Sequence, residues 1–263
     1  VISITGLGSL YIKKSFFFIL RENILNAFLR VIFILPNLNI ILQNRSDLNY
    51  LIKKTGLKKD KVKIIKGSGV DLKKFKFSKI NYKFPKILMV SRIIEDKGVF
   101  EFIKAIKYLK KKNIKAKFYL IGDIDKANPS AIHKNNIEHW IKNKLVNYCE
   151  HQKNIEKFIK KSSIVVLPSY REGFPKILME AAAIGRPVIT TNVPGCRDAV
   201  IRDVTGILVP VKNYIALAKS IEGLYKDKKK LKKIGIAARE HAMKNFNIID
   251  IVSQHISIYK KIV

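Results

Sequence analysis

The sequence predicts an α/β protein built on parallel sheets, and three observations carry that expectation. From Pro85 onward, short apolar runs alternate with longer helical segments, the pattern of a doubly wound parallel sheet. Runs such as Ile164 to Leu167 are apolar throughout, as in strands covered on both faces. The chain has 263 residues, 48% of them hydrophobic, enough for one large domain or two small ones with an ample core.

The elements follow in order. Val1 to Thr5 alternates like a strand and stops at the Gly6-Leu7-Gly8-Ser9 turn. A helix is expected from about Phe17 to Ile34, a break at Pro36-Asn37 and a strand from Leu38 to Gln43. Ser46-Asp47 opens a helix that reaches Lys54 and closes at Gly56. Val62 to Lys66 is a strand ending in GSGVD at 67–71, and the lysine-rich stretch Lys73 to Lys83 reads as a linker. Then come strand Ile87 to Val90, helix Val99 to Lys111 and strand Ala116 to Ile121, which ends at Gly122-Asp123. A long polar loop, 123–132, precedes a short strand at Val146 to Tyr148. Strands Ile164 to Leu167, Pro187 to Thr191 and Gly206 to Val209 follow, and helices fill Tyr214 to Tyr225, Lys229 to Lys244 and about Ile248 to Ile262.

The chemistry is concentrated in residues 167–181, LPSYREGFPKILMEA. A buried strand ends at Pro168, a tight polar turn runs from Ser169 to Gly173, and Pro175 opens a helix. The start of that helix, around Lys176 and Ile177, offers free amides and a positive dipole end to an anion such as a diphosphate. Glu172 stands in the loop on the ligand side, and Glu180 a little over one turn into the helix, so each offers an acceptor to a hydroxyl. Arg92 and Lys97 follow the first strand of the series, where ligands of such sheets bind. Arginine presents a fork to phosphate oxygens and lysine a point charge.

The formal charge of +32 permits nucleic acid, an anionic membrane or phosphorylated substrates as partners. The lysines are scattered among Ile and Asn without residues of a known nucleic-acid fold, so nucleic acid is not expected. Lys13-Lys14 beside Phe16-Phe17-Phe18 suits either core packing or an interfacial patch that meets an anionic membrane surface. The most apolar stretch, Ile24 to Leu42, is interrupted by Arg30, Pro36, Asn37 and Asn39, short of a span of about 20 residues. Cys149 and Cys196 lack metal or CxxC spacing, which fits a reducing compartment. The lone D-x-D, Asp123-x-Asp125, reads as a loop feature. The chain begins inside a strand, and an N-terminal truncation is the expectation.

E-G-F-P-x-x-x-x-E-A after a strand resembles the E-x7-E element of the family 4 retaining glycosyltransferases, which have the GT-B fold. AAAIGRPVITTNVPGCRDAV at 181–200 resembles the same family's continuing helix, strand and loop, and VSRIIEDKG at 90–98 its phosphate-binding strand end. ITGLGSLY at 4–11 resembles the acceptor side of members that act on polyprenyl-diphosphate-linked sugars. The resemblance implies two Rossmann-like domains with parallel sheets, the first incomplete. Residues 1–78 would belong to the acceptor-side domain and 79–245 to the nucleotide-sugar domain, while 246–263 would cross back to the first. It implies catalytic roles for Glu172, Arg92 and Lys97, with Glu180 on the ribose and Gly173, Phe174, Lys176 and Ile177 around the substrate. Gly6 and Gly8 would border the acceptor. Many members carry His where this chain has Thr5, so no acid/base role is carried over there. Cys149-Glu150-His151 stands where the family often has a base-contacting glycine.

The resemblance further implies transfer of a hexose or N-acetylhexosamine from a UDP-sugar to a glycan on polyprenyl diphosphate, without cofactor or metal. The expected location is the inner face of the cytoplasmic membrane. A sugar-nucleotide epimerase of the same fold, and a basic nucleic-acid or membrane-binding module, remain as alternatives.

Overall fold

The computed structural model describes residues 1–8 and 16–260. Lys13-Lys14 and the last expected turn, to Ile262, therefore lie outside the described residues. The first unit carries β1 (Ile2–Ile4), α1 (Phe16–Ile34), β2 (Ile40–Leu42), α2 (Arg45–Thr55) and β3 (Val62–Ile64). Its strands pair in parallel in the order β1-β2-β3. Leu7, Phe33, Ile40, Leu42, Leu51 and Leu57 make its core. Helix α2 begins at Arg45, one residue before the expected Ser46-Asp47 start, and its N-cap is Asn44, whose side chain accepts from the Asp47 N–H.

After an irregular stretch that includes the lysine-rich 73–83, a six-stranded parallel sheet is built from β4 (Lys86–Val90), β5 (Lys117–Ile121), β6 (Asn147–Cys149), β7 (Ile164–Leu167), β8 (Val188–Thr191) and β9 (Gly206–Val209). The strand order is β6-β5-β4-β7-β8-β9, so the winding reverses between β4 and β7. Ile87 and Met89 of β4 and Ile164 and Val166 of β7 enter one core with α3 (Val99–Lys111) and α7 (Tyr214–Lys226). Leu88, Val165 and Leu167 alternate to the other face, where they meet α5 (Ile155–Lys161), α6 (Lys176–Ile184) and the later part of α8 (Lys228–Asn245). The period-2 alternation of buried side chains accounts for the all-apolar strands.

Two helices lie where none was expected, α4 (Lys134–Lys142) and α5. Pro175 caps α6 from outside rather than occupying its first turn. At the end of the chain, α9 (Ile248–Tyr259) places Ile251 and Ile258 against Ile41 and Ile65 of the first unit. Val70 and Asn247 form a parallel bridge beside it. No helix among the described residues is long and apolar enough to cross a membrane.

One buried side chain ties the linker to the second sheet. Arg186, fully buried, donates to the carbonyls of Ser78, Ile159, Lys160 and Ile184. Most of these belong to the last turns of α5 and α6, whose carbonyls lack intrahelical partners. Burial pulls its pKa down to about 10.

Candidate active site

Ligands of open parallel sheets bind beyond the carboxyl ends of the strands where the winding reverses. Two cavities open there. The larger, of about 710 Å³, is lined from the second sheet by Ser91, Arg92, Gly122, Asp123, His151, Lys176, Ile177 and Glu180, and from the first unit by Ser68 to Asp71. The smaller, of about 390 Å³, is lined by Thr5, Gly6, Gly8, Arg92, Lys97, Arg171, Glu172 and Gly173, among others. The residues singled out in the sequence thus divide between two chambers, and Arg92 borders both. Phe174 borders neither: it is buried and packs edge-to-face on Phe246, 5.6 Å between ring centroids.

The chambers are shaped by backbone approaches that only glycine permits. Gly98 (φ +74°) ends the 3-10 turn at Glu95–Lys97, and a Cβ there would overlap the carbonyl of Pro168. That contact brings Lys97 against the turn after β7. Its Nζ lies 2.6 Å from Glu172 Oε1, which also accepts from Ser169 Oγ at 2.7 Å. A Cβ on Gly173 would overlap the carbonyl of Thr5, so the E-G-F-P turn touches the end of β1 directly. Tyr170 anchors the start of the turn through its hydroxyl, which donates to the Glu101 carboxylate at 2.9 Å.

Glu180 sits in a different environment. It is 6% exposed, and burial raises its pKa above the ordinary 4.5 against the pull of Lys176, whose Nζ is 3.6 Å away. Arg92 donates to Asp125 Oδ2 at 2.7 Å but remains largely exposed at the mouth. Asp123 accepts from the His151 N–H at 2.8 Å and fixes the loop after β6. Both carboxylates of the D-x-D pair are thus engaged in loop contacts, and Asp123 also lines the larger cavity. Asp71, which ends GSGVD, accepts from the Lys73 and Lys74 amides, and these bonds lower its pKa. Cys196 is buried, its thiol pushed up to about 12 by desolvation. Asn44 and Asp47 were missed in the sequence: Asn44 Nδ2 donates to the Gly173 carbonyl at 3.0 Å, and Asp47 pairs with Arg171 at 2.5 Å. The available signal was an N-x-x-D cap at a helix start.

Residues 70–241 match the family described as Glycosyl transferases group 1. The chain is 30% identical, over 99% of its length and 70% of the relative's, to the N,N'-diacetylbacillosaminyl-diphospho-undecaprenol alpha-1,3-N-acetylgalactosaminyltransferase of Campylobacter jejuni. It is 31% identical to the capsular polysaccharide biosynthesis glycosyltransferase CapM of Staphylococcus aureus, over 68% of this chain and 49% of that one. Sucrose-phosphate synthase from Thermosynechococcus elongatus superposes with a TM-score of 0.81 over 98% of this chain and 66% of its own, at 22% identity. Anabaena HepE in complex with UDP gives 0.75 over 85% and 64%, at 20% identity. The chain therefore spans about two thirds of these solved structures and from 49% to 70% of these relatives. A family match across 70–241, which spans the six-stranded sheet, and a relative 30% identical over 99% of the chain make this chain, with its two parallel sheets, a member of the group 1 glycosyltransferases.

Proposed function

We propose that the protein is a retaining transferase that moves a hexose or N-acetylhexosamine from a UDP-sugar to a lipid-linked glycan. The observation that carries the reading is the larger cavity at the winding reversal, which a buried carboxylate, Glu180, lines together with the start of α6 and Arg92. Glu180 accepts from the ribose hydroxyls. The α6 amides near Lys176 and Ile177 and the Arg92 guanidinium meet the diphosphate, on which charge builds as the glycosidic bond breaks. Lys97 and Glu172, 2.6 Å apart, stand at the neighbouring chamber, where Glu172 orients the transferred sugar and Lys97 the near phosphate. On this reading, protein groups rather than a metal carry the leaving-group charge. Gly6, Gly8 and Thr5 border the acceptor side.

Supporting the lipid-linked acceptor is the Campylobacter relative, named for an undecaprenol-diphosphate substrate. Supporting UDP is HepE, solved with that nucleotide. The domain division follows the same reading: an acceptor-side unit over 1–78, a donor unit over 79–245 and a returning helix from 246. Apolar side chains exposed along α1, among them Phe17, Ile24, Phe28 and Val31, support a peripheral position at the inner face of the cytoplasmic membrane. Calorimetry with a nucleotide panel tests the core of the proposal. Saturable binding of UDP in preference to ADP and GDP is the expected result. Salt-sensitive RNA binding without UDP binding would replace the reading with that of a basic binding module.

A further inference from the structure

The first turn of α2 belongs to the first unit, yet it grips both sides of Glu172. Asn44 Oδ1 caps the helix by accepting from the Asp47 N–H at 2.8 Å. Its Nδ2 has a second task, donating to Asp47 Oδ2 at 2.9 Å and to the Gly173 carbonyl at 3.0 Å. Asp47 in turn receives Arg171 at 2.5 Å on its other oxygen. Residues 171 and 173 are thus held from the same helix turn, 124 and 129 positions away in sequence, with Glu172 between them.

A helix cap alone does not require this arrangement. A serine or a solvated aspartate would cap α2 equally well, whereas here Asn44 and Asp47 are each 1% exposed. Burying a carboxylate is costly unless it is paired and hydrogen-bonded, and the pairing chosen reaches across to the other sheet. The geometry points to Asn44 and Asp47 as positioning residues that fix the backbone of the Arg171-Glu172-Gly173 turn. They thereby aim the Glu172 carboxylate at Lys97. Neither borders the larger cavity, so they act on sugar transfer and not on nucleotide binding. The Glu172 amide, which donates to the Pro194 carbonyl at 3.3 Å, reports on the same turn from the opposite side.

This inference rests on the proposed transferase reading, and the experiment separates the two. Asn44→Ser keeps a cap for α2 but lacks the amide that reaches Gly173. The double variant Asp47→Leu/Arg171→Met replaces the buried pair with apolar side chains of similar size, an exchange that folds often tolerate. Each variant is compared with the unaltered chain in UDP affinity, in sugar release from a UDP-sugar and in hydrogen exchange at the Glu172 and Gly173 amides. The expected result is a UDP Kd within about threefold of the unaltered value, turnover at least tenfold lower through kcat, and exchange at least tenfold faster. Unchanged exchange in the folded variants overturns the positioning role, whether or not turnover is measurable. A fall in UDP affinity parallel to that in turnover also overturns it, because α2 would then merely maintain the fold. An unaltered chain that fails to bind UDP removes the transferase reading, while the exchange measurement still decides the positioning of the turn.

Discussion

Glu180 is expected to be worth a measurable part of nucleotide affinity, and its environment sets the size. The carboxylate is buried, and its ionic neighbour Lys176 is 66% exposed and 3.6 Å away, a pair worth little once solvent screens it. Few interactions are therefore given up when a ribose hydroxyl arrives. A hydrogen bond to a charged group contributes about 1.5–3 kcal/mol, so Glu180→Ala should raise the UDP Kd roughly 10- to 150-fold. Glu180→Gln, which keeps the shape and one acceptor, should cost about tenfold. The ligand supplies the second arm: 2′-deoxy-UDP lacks one of the hydroxyls, so the preference for UDP over it should shrink in both variants. Acidification gives a further check. Because burial raises the pKa of Glu180 above 4.5, UDP affinity should begin to fall at a higher pH than an exposed glutamate would allow, and Glu180→Gln should lose that dependence. Stability runs the other way. The native state holds this proton more tightly than the unfolded chain, so the group costs stability as pH rises from 4.5 through the raised pKa. The glutamine variant should thus be no less stable at neutral pH. A folded Glu180→Ala protein that keeps the full preference for UDP over 2′-deoxy-UDP would refute the assignment.

Replacing Arg92 with Ala should weaken UDP much more than uridine, since uridine lacks the phosphates, and calorimetry with both ligands reads the difference. The same substitution at Lys97, which borders only the smaller chamber, should also weaken UDP more than uridine and lower UDP-sugar turnover besides, and equal losses for UDP and uridine would assign either residue to the fold. Arg186→Met leaves several buried carbonyls without a donor and should lower unfolding free energy by at least about 3 kcal/mol, seen as a lower urea midpoint with an unchanged slope. Less than about 1 kcal/mol would mean that water replaces the guanidinium. The chain should sediment with anionic but not neutral vesicles, with each nearby Lys or Arg adding about 1 kcal/mol. Binding that ignores both salt and headgroup charge would contradict the peripheral placement.

The strands and long helices were legible because each states its period locally. Helix Val99–Lys111 and strands Ile164–Leu167 and Gly206–Val209 lie where the sequence puts them. Helix α4, KNNIEHWIK, buries only Ile137 and Trp140, and α5 is seven residues long, so both carry too little apolar pattern to stand out from loops. The division of the site into two chambers was not legible at all. Glu172 and Glu180 are eight apart, but one lies in a turn pinned by Lys97 and the other on a helix face beyond Pro175, a separation that only the packing of β7 and α6 creates. The contribution of α2 was hidden for the same reason, since Asn44 and Gly173 are 129 residues apart.

Charge balance makes a carboxylate beside a chamber more informative than a cation. With 52 Lys and Arg side chains against 20 Asp and Glu, a cation near any given point needs no special cause. A carboxylate in such a chain is less easily explained by chance. Asp71, Asp123 and Glu180 line the larger cavity and Asp96 and Glu172 the smaller, a quarter of all the acids in the chain. Among the described residues, six basic side chains border either chamber: Lys74, Arg92, Lys97, Lys153, Arg171 and Lys176. Of these, Lys97, Arg171 and Lys176 are tied to carboxylates at 2.6, 2.5 and 3.6 Å, and Arg92 to Asp125 at 2.7 Å. The basic surface can gather anionic partners at long range. The geometry of the chambers depends on the few carboxylates that hold particular cations in place.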